Sequence, residues 1–303
     1  MTSKNMLNQL VSIVMPTYNH ANYISLAVDS VRSQTYTNWE LIIVDNFSDD
    51  GTLDLIKNYS QDARIVFLQI NNDGIVAKSR NVGINNAAGS WVAFLDSDDV
   101  WFPNKLQTIS TYLNDRSDLI YHHMNVFDEN SQVLKSKKIK SRKLDSPILK
   151  DLLLNGNTIA TSSVVVRKRC LLEIGGMNES KELIGTEDYS TWLRISKISD
   201  RFTLVPKYLG AYRSHSLNLS KQSVFKPPFC AVNEFLPLLT EYERFHLNLN
   251  HSYTTIRMKF VNRNFQGLKL ELYELIRSGT YLHKLKSIFM LLILFFTLNW
   301  SKS

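Results

Sequence analysis

The 303-residue sequence contains only two cysteines, Cys170 and Cys230, far apart and without metal-binding spacing. We therefore expect neither a disulfide framework nor a zinc site, and this fits a reducing compartment. No long apolar segment precedes the first strand-like run, so the sequence predicts no signal peptide. Neither GxxxxGK[ST] nor GxGxxG occurs, which argues against a P-loop enzyme and a dinucleotide-dependent oxidoreductase.

The sequence also lacks the run of about 20 apolar residues that a transmembrane helix needs. The apolar stretch at residues 288–296 is shorter, and Lys284, Lys286 and Lys302 flank it. Two interpretations remain open for residues 284–299. The segment is either an interfacial helix with lysines at anionic lipid headgroups, or a helix that packs against its own domain or a partner.

Acidic residues are outnumbered by basic ones, 28 against 35, which gives a formal net charge of +7. This excess predicts an anionic partner such as nucleic acid, a phosphorylated small molecule or a membrane surface. The basic residues are scattered or lie near the C-terminus, and they do not alternate with aromatic residues in a recognisable module. We therefore expect no nucleic-acid partner.

Strand-like and helix-like segments alternate in the first third of the chain. The strand-like runs cover 12–15, 41–44, 64–70 and 91–95, and the helical patterns cover 23–34, 51–60 and 75–88. The strand-like runs are continuously apolar, so both faces of each strand should be buried, and the intervening helices imply parallel crossovers. The pattern predicts an α/β fold with a doubly wound, mostly parallel sheet flanked by helices.

The rest of the chain is less regular. Strand-like runs cover 118–128, 158–166 and 201–213, and helical patterns cover 147–155 and 188–198. The basic stretch 131–145 is interpreted as a hairpin or a mobile loop. Helical patterns dominate from about residue 225. We therefore expect a first domain at residues 1–222 and a helical C-terminal region at residues 223–303.

The segment WVAFLDSDDVW ends a predicted buried strand in three carboxylates, Asp96, Asp98 and Asp99. Carboxylates this close repel one another, and a divalent cation would remove the repulsion. Oxygen ligands suit Mg²⁺ or Mn²⁺, which usually keep positions open for substrate phosphates. The alternative is that Asp98 or Asp99 caps a helix that begins near Pro103.

Four stretches, SIVMPTYN, LIIVDNFSDDGT, NNDGIVAKSRNVGINNAAGSWVAFLDSDDVW and GTEDYSTWLR, resemble the motifs of glycosyltransferase family 2 in order and spacing. The resemblance covers roughly residues 12–220 and implies an inverting enzyme with the GT-A fold. It also implies Mn²⁺ or Mg²⁺ and a nucleotide-diphosphate sugar donor, with UDP the preferred nucleotide and GDP and dTDP as alternatives. One sugar would be transferred to a hydroxyl of a saccharide or lipid-linked acceptor, in bacterial surface-polysaccharide synthesis.

The resemblance also assigns roles by position. The implied nucleotide-sugar-binding residues are Pro16, Thr17, Tyr18, Asn19, Asp45, Arg80, Asp96, Ser97 and Arg213. The implied metal ligands are Asp98 and His215, and the implied catalytic residues are Asp188, the base, and Glu187. The sequence departs from the family at Asn46 and Phe47, where an acidic and a small residue are usual.

Three points stay open. Arg80 either contacts the donor diphosphate or forms an ion pair within the carboxylate cluster. Glu187 and Asp188 either perform catalysis or cap a helix. The chain is either an enzyme at the inner face of the cytoplasmic membrane or a non-catalytic nucleotide-sugar-binding relative. A sugar-phosphate nucleotidyltransferase is a further alternative, but SIVMPTYNH lacks the glycine-rich basic loop expected of one.

Overall fold

The first part of the chain forms a parallel sheet whose strands are connected by helices. The computed structural model describes residues 9–128, 134–215, 218, 229–261 and 265–300. In chain order the elements are β1 (Val11–Thr17), α1 (Ile24–Arg32), β2 (Trp39–Asp45), α2 (Thr52–Lys57), β3 (Ile65–Gln69), α3 (Val76–Asn86) and β4 (Trp91–Phe94). The strands lie in the order β3-β2-β1-β4 and are all parallel.

Burial explains the continuous apolar sequences of β1, β2 and β4, whereas the residues of β3 are partly or fully exposed. Every residue of β1 and β4 is buried, as is all of β2 except Glu40. Side chains of α1, including Ala27, Val28 and Val31, belong to the same hydrophobic core as Ile13 and Met15 of β1. A strand that is covered on both faces has no exposed positions for polar side chains, so the period-2 alternation is lost.

The second half of the sheet mixes strand directions. It contains β5 (Val100–Trp101), α4 (Lys105–Ser110), β6 (Leu119–Asp128), β7 (Leu134–Ile139), α5 (Ile148–Asn155), β8 (Val165–Arg167), α6 (Lys168–Glu173), α7 (Glu187–Ser196) and β9 (Phe202–Ser214). The order continues β4-β8-β6-β9-β5, and β7 pairs with β6. Only β6 and β9 are parallel among these pairs. The predicted α/β fold class is confirmed, and antiparallel pairs are added to its parallel half.

Two local predictions have different outcomes. In the basic stretch, β7 pairs antiparallel with β6, so the hairpin interpretation is confirmed for residues 134–139, and residues 131–133 lie outside the described residues. The predicted strand at 158–166 is wrong over most of its length, because Thr161–Ser163 is a 3-10 turn and β8 begins only at Val165. Ser163 Oγ donates to the carbonyl of Ala160 at 2.6 Å, and such a local bond competes with strand pairing.

The described residues divide into two compact units, one within Met1–Leu152 and Asn157–Lys226, the other within Leu153–Gly156 and Pro227–Ser303. The C-terminal part of the second unit begins at Pro227, four residues after the predicted start of the helical region at residue 223. Its helices are α8 (Phe229–Val232), α9 (Glu241–Val261), α10 (Leu268–Ser278) and α11 (Tyr281–Trp300). Buried residues of the last three, such as Ile256, Leu272 and Met290, form a core of their own. Among the described helices, none has the length and apolar character that crossing a bilayer requires.

Candidate active site

The carboxyl ends of three neighbouring strands bring the predicted site residues to one edge of the sheet. Thr17, the last residue of β1, lies opposite Asp45, the last residue of β2. The chain leaves β4 at Phe94 and enters residues 96–99, here called the carboxylate loop. Parallel strands end at the same edge, so residues that are far apart in sequence become neighbours, and this edge is where ligands bind in open α/β sheets.

The carboxylate loop concentrates negative charge in a confined place. Asp99 is buried, and the Asp96 side chain is 32% exposed. Burial, and then the nearby Asp98 carboxylate, raise the pKa of Asp96, although Arg80 opposes them. The pKa of Asp99 lies well above its usual value because of burial and the charges of Asp98 and Asp96. A bound cation would relieve this repulsion.

Asp98 meets His215, so the structure brings the two predicted metal ligands together. His215 Nε2 lies 2.8 Å from Asp98 Oδ2, and Asn218 Nδ2 donates to the same oxygen at 3.3 Å. The His215 ring is stacked on Tyr23 at 4.9 Å, and its buried Nδ1 has no hydrogen-bond partner among the described residues. The stacking fixes the ring against the carboxylate.

Whether these side chains suit a divalent cation depends on their donor atoms. The described residues contain no group of three or more His, Cys, Asp or Glu arranged to hold a metal ion. Asp98 and His215 therefore supply an incomplete set, one oxygen and one nitrogen donor beside two further carboxylates. Mn²⁺ and Mg²⁺ sites of this kind are completed by water and substrate phosphates. The donor set fits such an ion.

Arg80 joins the carboxylate loop to the start of α7. Its guanidinium is buried, and it donates from Nη2 to Asp96 Oδ1 and from Nη1 to Glu187 Oε1, each at 2.7 Å. Burial alone would lower the pKa of Arg80, but the two carboxylates outweigh it and raise the pKa above its usual value. Glu187 Oε2 also accepts from the amide of Gly185 at 2.8 Å. Arg80 thus forms an ion pair within the carboxylate cluster, which was one of the two interpretations of this residue.

Asp188 lies in the first turn of α7, partly exposed and with both oxygens held. Oδ2 accepts from Thr161 Oγ1 at 3.0 Å, and Oδ1 accepts from the amide of Tyr189 at 2.6 Å. Burial and the neighbouring Glu187 charge raise the pKa of Asp188 to about 7, although Arg80 and the two hydrogen bonds oppose this. A carboxyl group with this pKa exchanges a proton near neutral pH, as a general base requires.

The N-cap interpretation does not explain the two acidic residues of α7. The N-cap residue is Thr186, and its side chain makes no capping hydrogen bond. Glu187 and Asp188 follow it in the first helical turn, where negative charge is favoured by the helix dipole. The helix dipole would stabilise any carboxylate in the first turn of α7. It therefore does not explain why Glu187 contacts Arg80 or why Asp188 contacts Thr161.

The residues predicted to surround the nucleobase lie at the ends of β1 and β2. Pro16 and Thr17 are buried in β1, whereas the Tyr18 side chain is 53% exposed. Thr17 Oγ1 is buried without a hydrogen-bond partner among the described residues. Asn19 has a positive φ of 51° and accepts from the Asp49 amide at 3.0 Å. The end of β1 therefore combines an exposed aromatic ring, which a ligand can contact, with a buried hydroxyl that has no hydrogen-bond partner among the described residues.

Asp45 is fully buried, and protein groups already occupy its carboxylate. Oδ1 accepts from Ser48 Oγ at 2.5 Å, while Oδ2 accepts from the Ser48 amide and Gln69 Nε2 at 3.0 Å each. These bonds fix the turn that leaves β2. Contact with a nucleobase stays a prediction for this residue.

Ser97 and Arg213 hold the carboxylate loop in place. Ser97 Oγ lies 2.7 Å from His20 Nδ1. Arg213 is buried, donates from its amide to Asp99 Oδ1 at 2.9 Å and from Nε to the carbonyl of Asp98 at 3.0 Å. Its guanidinium also lies 5.3 Å from the Tyr23 ring centre. Both predicted residues thus lie beside Asp98, with His20 as a neighbour that the sequence did not single out.

Lys105 and Ser162 are further residues of this region that sequence reasoning missed. Lys105 is fully buried, donates to the carbonyl of Ser162 at 2.9 Å and lies 3.4 Å from the Trp101 ring centre. Burial lowers the pKa of Lys105 well below its usual value, although Asp99 opposes this. A lysine in a short helix carries no sequence signal for burial. The polar run Thr161–Ser163 within an apolar segment was a usable signal.

Comparison with known proteins identifies the family. The profile of "Glycosyl transferase family 2" matches residues 12–174, more than half of the chain. The Escherichia coli UDP-Glc:α-D-GlcNAc-diphosphoundecaprenol β-1,3-glucosyltransferase WfgD is 36% identical over 189 residues, which is 62% of this chain and 70% of WfgD.

Solved structures agree on the fold. S. aureus TarS 1-349 in complex with UDP-GlcNAc has a TM-score of 0.64 at 20% identity, over 90% of this chain and 82% of TarS 1-349. The mannosyltransferase PcManGT from Pyrobaculum calidifontis, in complex with GDP-Man and Mn²⁺, has a TM-score of 0.52 at 16% identity, over 94% of this chain and 80% of PcManGT. At these identities the likeness shows the fold alone. The chain belongs to glycosyl transferase family 2 and has the GT-A fold.

Proposed function

We propose that this protein is an inverting glycosyltransferase that moves one sugar from a UDP-sugar to a hydroxyl of a lipid-linked saccharide. The observation that carries the proposal is the arrangement around Arg80. This buried residue connects Asp96 of the carboxylate loop with Glu187, and the next residue, Asp188, has a pKa of about 7. Arg80 would thus connect the carboxylate loop, where the diphosphate leaves, with the helix that carries the base Asp188.

The reaction would be a single displacement. The acceptor oxygen forms a bond to the anomeric carbon of the donor, and its proton passes to the Asp188 carboxylate. The bond between that carbon and the diphosphate oxygen breaks, and its electron pair leaves with the diphosphate. An ionised carboxylate within hydrogen-bond reach is needed because a sugar hydroxyl is a weak nucleophile. Attack opposite the departing bond inverts the anomeric centre.

Asp98 and His215 would hold Mn²⁺ or Mg²⁺, which supplies a Lewis acid for the developing charge on the diphosphate. Arg213 and Ser97 keep Asp98 in position through the bonds described above. Thr17, with its unsatisfied buried hydroxyl, and the exposed Tyr18 support donor binding beside the nucleobase. Glu187 contributes by orienting Arg80, since its two oxygens are held by Arg80 and Gly185.

The names of similar proteins support the choice of substrates. WfgD is named for a UDP-glucose donor and a diphosphoundecaprenol-linked acceptor, and TarS 1-349 is described with UDP-GlcNAc. A lipid-linked acceptor would place this chain at the cytoplasmic face of the membrane, in polysaccharide synthesis. Membership of the family argues against the nucleotidyltransferase alternative.

The outward face of α11 supports membrane association. Among the α11 side chains whose exposure is described, which end at residue 293, the exposed apolar ones at helical spacing are Tyr281, Leu282, Leu285, Ile288, Phe289 and Leu292. The opposite face buries His283, Ser287 and Met290. Sequence positions 275–303 contain no Asp or Glu, and Lys284 and Lys286 lie within the helix. An apolar face with basic and no acidic neighbours suits the surface of an anionic bilayer.

The test of the catalytic proposal is turnover. The full chain is incubated with UDP-glucose or UDP-GlcNAc, Mn²⁺ and a GlcNAc-diphospho-lipid, and released UDP and glycosylated lipid are measured. We expect transfer by the natural protein and a loss of about 10²- to 10⁴-fold in kcat for Asp188→Asn, with UDP binding retained. Normal turnover by Asp188→Asn would remove the base assignment. UDP binding without turnover in the natural protein would favour a non-catalytic binding protein.

A further inference from the structure

The 3-10 turn Thr161–Ser163 connects the two halves of the proposed active site. It lies just before β8 and interrupts a segment whose apolar neighbours predict a strand. Ser162 and Ser163 are buried, and Thr161 is partly exposed. Three consecutive hydroxyl residues at a buried turn need hydrogen-bond partners. The partners of Thr161 and Ser162 belong to the site.

On one side of the turn, Thr161 contacts the proposed base. Thr161 Oγ1 donates to Asp188 Oδ2 at 3.0 Å, while the Tyr189 amide holds Oδ1 at 2.6 Å. The carboxylate therefore has one donor on each oxygen. Hydrogen bonds of this kind both restrict the rotation of a carboxylate and favour its charged form.

On the other side, Ser162 contacts the carboxylate loop. Its Oγ accepts from the Asp96 amide at 3.1 Å. Its carbonyl accepts from Lys105 Nζ at 2.9 Å and from Trp101 Nε1 at 2.8 Å. Three bonds fix Ser162, so the adjacent Thr161 is attached to a rigid support.

We propose that Thr161 is a positioning residue for Asp188: its hydroxyl fixes the carboxylate in one orientation and stabilises its negative charge, with Ser162 as the anchor. This inference rests on the proposed function, in which Asp188 accepts the proton of the attacking hydroxyl. Thr161 takes no part in bond making. Its effect on the reaction is exerted through Asp188.

Several groups besides Thr161 change the pKa of Asp188, and they determine how far the loss of Thr161 can shift it. Burial and the Glu187 carboxylate raise the pKa of Asp188, and the Arg80 guanidinium, the Tyr189 amide and Thr161 lower it. Arg80 is also shared with Asp96 and Glu187. Removal of the Thr161 hydroxyl takes away one of the groups that lower the pKa of Asp188. Burial and Glu187, which raise this pKa, stay in place. Asp188 should then hold its proton to higher pH.

The test measures the Asp188 titration directly, by carboxyl carbon NMR of the full-length protein, with the signal assigned through Asp188→Asn. Thr161→Val keeps the volume and removes the hydroxyl, and we expect it to raise the midpoint by about one pH unit. Thr161→Ser should restore the natural midpoint. Thr161→Ala repeats the test with a smaller side chain. Thr111→Val, which removes an exposed hydroxyl elsewhere, should have no effect.

An unchanged Asp188 midpoint in both Thr161→Val and Thr161→Ala would overturn the inference, even if Asp188→Asn still abolished turnover and the proposed function held. A second readout is the pH dependence of UDP release from UDP-glucose. Its acidic limb should move to higher pH together with the NMR midpoint and return with Thr161→Ser. If the midpoint moved and the acidic limb did not, Asp188 would not be the base, and the positioning role would fail with it.

Discussion

Arg80 and Glu187 lie on different elements and meet through a 2.7 Å bond in the interior of the protein, where Arg80 also holds Asp96 at the same distance. One buried cation thus pairs with two carboxylates and joins α3 to the carboxylate loop and to α7. A buried charge is tolerated only with such partners, because its desolvation is otherwise expensive. Arg80 therefore contributes both to the stability of the fold and to the geometry of the site.

The first prediction concerns Arg80. Arg80→Ala should lower the free energy of unfolding by about 3–5 kcal/mol, since it leaves Asp96 and Glu187 close together without a cation. Arg80→Lys should recover only part of this, because one ammonium group cannot bridge both carboxylates as a planar guanidinium does. Chemical denaturation monitored by circular dichroism measures both.

The control for Arg80 is Lys57, which pairs with Asp54 and remains 62% exposed. Lys57→Ala should cost about 1 kcal/mol or less, as exposed ion pairs do. Equal losses at the two positions would show that the buried bridge has no special contribution.

Two features were predictable from the sequence. One is the parallel half of the sheet, and the other is the group of polar residues at the carboxyl ends of its strands. Burial on both faces gives β1, β2 and β4 continuous apolar runs, and the polar residues after each run indicate the edge where strands end. The approach of Asp98 to His215 followed from a family resemblance, since nothing in the spacing of the two residues brings them together.

Contacts that depend on tertiary structure were not predictable. Thr161–Ser163 has strand-forming neighbours, and the contacts of Thr161 with Asp188 and of Ser162 with Asp96 exist only in the folded chain. Lys105 follows the pattern of a surface lysine on a short helix. Its burial depends on the Ser162 carbonyl and the Trp101 ring, which adjoin it only in the folded chain.

The second prediction concerns pH and stability at Asp188. In the folded state its pKa is about 7, whereas in an unfolded chain an aspartate has a pKa of about 4. Between these values the folded state binds more protons, so the free energy of unfolding falls as the pH rises through this window. Asp188→Asn removes this contribution. Relative to the natural protein, the variant should gain about 1–2 kcal/mol between pH 4.5 and pH 8, measured by thermal unfolding.

The comparison for Asp188 is Asp54→Asn, which changes an aspartate that is 82% exposed. Its stability should follow that of the natural protein at every pH. Parallel curves for the natural protein and Asp188→Asn would mean that Asp188 titrates normally and is ionised throughout this range.

The third prediction concerns metal and nucleotide. UDP at about 100 times its dissociation constant should stabilise the folded protein by roughly 2.7 kcal/mol, and we expect this only when Mn²⁺ or Mg²⁺ is also present. Asp98→Asn should abolish the metal-dependent part, because it removes the proposed oxygen ligand. Differential scanning fluorimetry with UDP, GDP, dTDP and CDP, each with and without metal, gives the nucleotide preference.

For the metal experiment, Asp29→Asn is the matched surface change, since the Asp29 side chain is 55% exposed. Either of two results would show that Asp98 is not a metal ligand. One is that UDP stabilises the protein equally with and without metal, and the other is that the metal-dependent stabilisation persists in Asp98→Asn. Preference for another nucleotide would change the donor and leave the metal assignment intact.

The fourth prediction concerns the exposed face of α11. The full chain should sediment with vesicles that contain phosphatidylglycerol and bind weakly to pure phosphatidylcholine, since Lys284 and Lys286 adjoin the apolar face. Phe289→Glu places a charge where the side chain is 64% exposed, and should release the protein from both vesicles without loss of stability. Lys284→Glu with Lys286→Glu should remove only the preference for the anionic lipid.

A matched charge at another exposed apolar position separates a specific face from general hydrophobicity. Leu172 in α6 is 52% exposed, and Leu172→Glu should leave vesicle binding unchanged. If Phe289→Glu and Leu172→Glu bind vesicles equally well, α11 is not the membrane-binding element. If Phe289→Glu instead converts a dimer to a monomer in light scattering, the apolar face of α11 contacts a second copy of the chain, and membrane association through this helix is excluded.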